Sequence, residues 1–170
     1  MAERKPIATK RNAAAVAAAA AVAATVAVPF EGTRFIPYFD PPGILTVCMG
    51  HVGPDVVAGR RYSMDECKAL LSADMTQAVQ AVDACQPGLP DPVLIAFSDA
   101  AYNLGPRIAC DPAASRAASL LRQQRYAEAC RELPRWDKAR VAGVLVALPG
   151  LTKRRAAEMA LCLTFQTAPL

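Results

Sequence analysis

The chain is 170 residues long, room for one core of ordinary size with attachments and too short for two generous domains or an array of tandem repeats. With 54% apolar residues and a net charge of only +4, it is not an intrinsically disordered chain. The charge is unevenly placed: residues 1–12 carry Arg4, Lys5, Lys10 and Arg11 against Glu3, residues 13–100 hold four basic and nine acidic groups, and residues 101–170 hold eleven basic and five acidic. A basic C-terminal third suits an anionic polymer, whether nucleic acid, anionic lipid or bacterial wall, and charge alone does not choose among these and a merely solvated face.

From Ala13 to Val28 run sixteen uncharged residues, eleven Ala, four Val and Thr25. As a helix this segment spans about 24 Å, short of the roughly 30 Å of a bilayer's hydrocarbon core. Four valines contribute about −2 kcal/mol to insertion at best, so any membrane hold is weak. A cleaved signal peptide, with Ala27 as a cleavage position, competes with a permanent anchor and with an uncleaved, weakly held signal-anchor, and the Ala-rich composition fits the last best. The basic flank before it predicts that residues 1–12 stay in the cytoplasm and that the folded part, 29–170, is exported.

The cysteines agree with export. Cys48, Cys67, Cys85, Cys110, Cys130 and Cys162 all follow the apolar run, form no CxxC pair and are accompanied by a single histidine, His51. A zinc site is not expected, and no cofactor is implied. An even set in an exported chain reads as up to three disulfides, with fifteen pairings open.

Beyond the leader, Phe35–Phe39 and Ile44–Val47, separated by Asp40-Pro41-Pro42-Gly43, predict a small β-hairpin. Ser63-Met64-Asp65-Glu66 has the form of a capping box and opens a helix to about Ala84, with Cys67, Leu70, Leu71, Met75 and Val79 on one face. After a break at Pro87–Pro92, Val93–Leu104 reads as a buried central helix ended by Gly105-Pro106. A helix pair over 115–132, another apolar segment at Lys138–Leu148 and a last helix at Thr152–Phe165 complete a mostly helical remainder.

The chemistry concentrates in the hairpin. Glu31 precedes it, Asp40 follows after eight intervening residues, and Thr46 lies on the returning strand after five more. Glycosidic hydrolysis needs a protonated acid on the leaving oxygen and a carboxylate that positions or activates water on the other side. Glu31, beside Phe30 and near the core, is placed for the raised pKa an acid requires, whereas Asp40 on an exposed turn stays ionised.

The stretches Glu31-Gly32-x-Arg34-x-x-x-Tyr38-x-Asp40, Thr46-Val47-Cys48-x-Gly50-His51, Cys67-Lys68-Ala69-Leu70-Leu71-x-x-Asp74 and Tyr102-Asn103-x-Gly105 resemble the phage endolysins of glycoside hydrolase family 24, over about residues 30–165. The N-terminus is similar to that of the signal-anchor-release endolysins of lambdoid phages. The resemblance implies an α+β, mostly α lysozyme-like fold: a small β-hairpin lobe and a helical C-terminal lobe, preceded by the N-terminal apolar helix. It implies an inverting muramidase cutting the MurNAc–GlcNAc β-1,4 bond, with Glu31 as general acid, Asp40 orienting water and stabilising positive charge, and Thr46 positioning that water. It further implies substrate contacts at Asn103 and Tyr38, a basic partner for Glu31 at Arg154 or, nearly as well, Arg155, and a structural ion pair between His51 and Asp74. Asn103 as a helix C-terminal cap is the plainer alternative.

The six cysteines depart from the T4-type pattern, as does Ala139–Gly150, longer and more apolar than expected there. Cys130–Cys162 is the favoured pairing because both sit on C-terminal helices, followed by Cys48–Cys67, leaving Cys85–Cys110. The implied partners are peptidoglycan and, through the N-terminal segment, the host inner membrane and the Sec export machinery; nucleic acid is not among them, and a monomer is expected. The competing readings are a lytic transglycosylase and a non-enzymatic, membrane-active lysis protein.

Overall fold

The computed structural model describes residues 10–40, 43–141 and 143–166. Arg4 and Lys5 of the basic flank, and Pro41 and Pro42 of the expected turn, lie outside them. The first helix, α1 (Ala13–Ala27), starts at Asn12, whose side chain accepts from the Ala15 amide at 2.9 Å. One stripe of it, Val16, Ala19, Ala20, Ala23 and Ala27, is buried. That 3–4 spacing lays the helix against α2 (Met64–Cys85) and α3 (Asp91–Leu104), so the leader forms part of the main core. Among the described residues, no helix is long and apolar enough to cross a membrane.

The expected capping box opens α2: the Ser63 hydroxyl accepts from the Glu66 amide at 3.2 Å, and the Glu66 carboxylate accepts from the Ser63 amide at 2.7 Å. Every residue of α3 from Val93 to Ala101 is buried, and the helix stops at Gly105, whose φ of 84° suits only glycine without strain. Shorter helices follow, α4 (Arg107–Cys110), α5 (Arg116–Arg122) and α6 (Tyr126–Glu132), and α7 (Pro149–Leu163) packs back on α3.

The expected hairpin supplies two strands of a three-stranded antiparallel sheet, β1 (Arg34–Phe39), β2 (Leu45–Cys48) and β3 (His51–Val52), in that order. Its register sets Thr46 opposite Tyr38 on one side and Val52 on the other. Because directly paired residues share a face, Tyr38, Thr46 and Val52 point to one side, while Val47 turns to the other, into a small core with Cys48, Val56, Tyr62 and Cys67.

All three favoured disulfides are present, Cys48–Cys67, Cys85–Cys110 and Cys130–Cys162, with Cα separations of 5.0, 5.5 and 5.7 Å. They tie the sheet to α2, α2 to α4, and α6 to α7. The segment Lys138–Leu148 departs from its expected place in a helical remainder: it forms a separate hairpin, β4 (Lys138–Val141) and β5 (Val144–Ala147). Gly143 at φ 83° makes the turn, and the valines of β5 favour strand over helix.

Candidate functional site

Glu31 stands four residues beyond Ala27, the last buried position of α1, and its amide donates to the Ala27 carbonyl at 3.2 Å, so α1 sets its position directly. Its side chain retains 19% exposure. One oxygen accepts from Nη1 of Arg154. The other faces Gly50: a Cβ added there would lie 3.5 Å from Glu31 Oε2 and 3.4 Å from the Tyr102 hydroxyl, and the φ of 93° already demands glycine.

Arg154, rather than Arg155, is therefore the partner of Glu31. It is almost wholly buried and gripped on its far edge by Asp99, which accepts from Nε at 3.1 Å and from Nη2 at 2.9 Å. This fork-on-fork pair fixes the guanidinium plane and leaves Nη1 aimed at Glu31. Burial opposes the Arg154 cation, but Asp99 and then Glu31 outweigh it and raise its pKa. Arg155 points away into the core against Glu158, which also lies 3.5 Å from Arg154 Nε. Burial, then the adjacent Asp99, push the Glu158 carboxyl up to about 10 against the two arginines.

Glu31 lines one of two nearby cavities, and Gly50, which its carboxylate faces, lines the other. One, of about 340 Å³, is lined by Phe30, Glu31, Asn103, Leu148, Leu151 and Arg154. The second, of about 390 Å³, includes Gly50, Val52, Asp74, Gln77 and Tyr102. Asn103 lies inside α3 and Gly105 is the cap, so the amide is spare; its Oδ1 is buried without a protein partner and belongs to the residue lining the first cavity. Tyr102, kept protonated by burial, donates to the Met49 carbonyl and fixes the turn that carries Gly50.

Asp40 closes the turn after β1: its backbone pairs with Ile44 and its Oδ1 accepts from the Ile44 amide at 2.7 Å, leaving Oδ2 without a hydrogen bond among the described residues. By strand alternation it follows Tyr38 on the face shared with Thr46 and Val52. Thr46 is only 3% exposed, and its hydroxyl donates to the Ile44 carbonyl at 3.0 Å, which orders the oxygen and keeps its lone pairs free. Tyr38 carries the Arg34 guanidinium over its ring at 4.3 Å. The structure thus gathers Glu31, Arg154 and Asn103 around one cavity and sets Tyr38, Asp40 and Thr46 together on the sheet.

His51 turns from this site: Nδ1 meets Asp74 at 2.8 Å and Nε2 meets Asp55 at 3.2 Å. Burial lowers its pKa, but the two carboxylates outweigh that and raise it. No group of His, Cys, Asp and Glu among the described residues could hold a metal ion. Sequence reasoning passed over Asp99 and Glu158; a lone acid inside the apolar run 93–101 was the available signal, since a buried carboxylate requires a cation.

Residues 28–158 match the phage lysozyme family, and the chain belongs to it. The SAR-endolysin of bacteriophage PS119 is 36% identical over 137 residues, 78% of this chain and 76% of that protein. The SAR-endolysin of Enterobacteria phage P21 is 34% identical over 137 residues, 78% of this chain and 77% of its own. Among solved structures, the muramidase domain of SpmX from Asticaccaulis excentricus shares the fold with a TM-score of 0.73 at 26% identity, covering 84% of this chain and 95% of that one. The chain is an endolysin of lysozyme type, a muramidase-class glycosidase acting on peptidoglycan.

Proposed function

We propose that the protein hydrolyses the MurNAc–GlcNAc β-1,4 bond of peptidoglycan with inversion. The observation that carries this reading is the setting of Glu31: a mostly buried carboxyl that still opens into a cavity, steered by a buried arginine and sharing that cavity with an unpartnered amide oxygen. Glu31 gives its proton to the leaving O4 as the C1–O4 bond breaks. Water adds to C1 from the opposite face, and its proton passes to Asp40, while Thr46 accepts a hydrogen bond from that water and holds it in line. Asn103 and Tyr38 orient the glycan.

The export reading rests on α1 and on the names of the relatives. In the membrane, α1 cannot lie in the groove between α2 and α3, and Glu31, tied to the Ala27 carbonyl, cannot take its place beside Arg154; the enzyme is then incomplete. Release, on loss of the membrane potential, lets the Ala-rich helix pack and assembles the site in the periplasm, where host lysis follows.

The full chain should clear a turbid suspension of purified cell wall, and Glu31→Gln should lower that rate at least about a thousandfold, as expected for loss of an acid that also leaves no ionisable substitute. Activity retained in Glu31→Gln overturns the reading. Products that carry 1,6-anhydro ends, with activity kept in Asp40→Asn, would mark a lytic transglycosylase instead.

A further inference from the structure

The β4–β5 hairpin, whose apolar sequence the catalytic reading leaves unused, stands off the molecule as an isolated two-stranded sheet. All four residues of β5 are exposed, Val144 by 62% and Leu145 by 59%. A short hairpin that buries neither face is marginal in water and gains most from something that covers it. Its register sorts the side chains. Ala139 pairs with Val146, and Val144 lies on that same side, giving an aliphatic face; Lys138 pairs with Ala147 and Arg140 with Leu145, giving a face on which two cations flank a leucine. Both cations are exposed, and neither forms an ion pair among the described residues; Arg140 only donates to the Gly143 carbonyl at 3.0 Å. From 138 to 157 the chain has no carboxylate at all, and Asp137 at the base is engaged by the Thr152 hydroxyl.

We propose that this hairpin docks the folded enzyme on an anionic phospholipid surface, with Val144, Leu145 and Val146 sunk into the headgroup boundary and Lys138 and Arg140 on lipid phosphates. Aliphatic side chains beside unpaired cations fit that boundary, which offers hydrocarbon and negative charge within a few ångströms of each other. A glycan strand offers no hydrocarbon layer, and the hairpin carries neither aromatic rings nor side-chain amides to grip sugars. A second copy is a poor occupant, because a face of this size lies far below the roughly 800 Å² per partner of a stable interface. The α1 helix is already packed elsewhere. The hairpin leads straight into Leu148 and Leu151 of the Glu31 cavity, so docking here would hold the released enzyme in the layer between membrane and wall.

The test is sedimentation of the full, disulfide-bonded chain with sucrose-loaded vesicles, either phosphatidylethanolamine with phosphatidylglycerol or phosphatidylcholine alone. The parent should bind the anionic vesicles. Val144→Ser/Leu145→Ser should weaken that binding at least about tenfold through lost methylenes. Lys138→Gln/Arg140→Gln should remove the preference for anionic lipid, at about fivefold per charge. All four positions are exposed, and far-UV circular dichroism confirms folding; if the serine pair fails to fold, the glutamine pair decides alone. Equal binding by parent and variants would show that α1 or the general basic surface holds the vesicle, and overturns the proposal. So does weakened binding to purified sacculi with vesicle binding intact, or a parent dimer that the serine pair dissociates.

Discussion

Two apolar helices, α1 and α3, lie side by side in the same core and are held there by different means. In α3, nine consecutive residues are buried, among them Val93, Leu94, Ile95 and Phe97, so the helix is surrounded and these four side chains remove a large apolar area from water. In α1 a single stripe is buried, four of its five members being alanine, and Ala14, Ala17, Ala18, Ala21 and Val22 face outward. Asp99 on α3 anchors a buried ion network; α1 itself carries no charge and no cysteine, and all three disulfides tie other elements together. The lesson is that hydropathy alone does not define a core helix: side-chain volume decides whether an apolar helix is fixed or detachable, and α1 has the composition of one that packs with little loss on leaving.

The widest gap should appear on truncation. Phe97→Ala in α3 is expected to lower stability by about 3–5 kcal/mol in urea unfolding, whereas Val16→Ala, the largest buried side chain of α1, removes two methylenes and should cost about 1.5 kcal/mol. Comparable losses at the two sites would break the comparison.

A smaller effect sharpens it from the membrane side. Leucine at Ala14, Ala17, Ala18 and Ala21 leaves the buried stripe untouched but makes insertion more favourable by roughly 2–3 kcal/mol in total. Expressed in cells, that variant should remain in the membrane fraction and delay lysis, while its purified, folded form clears wall suspensions as fast as the parent. Lysis on the parent's schedule would show that α1's hold on the bilayer does not govern the enzyme.

Much of this arrangement was legible because it rests on local rules. The Ser63–Glu66 capping box, the glycine stop after α3 and the hairpin around Asp40 are each set by residues a few positions apart, so the sequence carries them without knowledge of the partner elements. The α1 segment was readable as apolar but not as a packed helix, since an alanine run suits a weak membrane segment and a tight helix interface alike. The β4–β5 hairpin was hidden for a related reason: Val144 to Leu148 is apolar without alternation, which gives no period from which to tell strand from helix. The grip of Asp99 on Arg154 spans 55 positions, and no local pattern announces such a pair; only the oddity of an acid in an apolar run pointed to it.

The smallest expected effect concerns the end of α1 remote from the site. Arg11, just ahead of the helix, donates to Asp83 on α2 through its backbone amide at 2.9 Å and its side chain at 3.2 Å, and to the Leu89 carbonyl at 2.7 Å; it also meets Asp91 on α3. The same cation belongs to the basic flank expected to keep the N-terminus in the cytoplasm, and it cannot serve both positions at once. In the packed form it ties the N-terminal end of α1 to the domain, as the Glu31–Arg154 pair does just past the other end. Since Asp91 is exposed while Asp83 is buried, the Asp83 contact carries most of its value, and Arg11→Gln should cost about 1–2 kcal/mol. Hydrogen exchange should then show the amides of α1 opening sooner while those of α3 keep their protection, because α3 retains its own core and ion network. Equal loosening of both helices would mean that α1 and α3 open as one unit, and that the leader is no more detachable than the helix beside it.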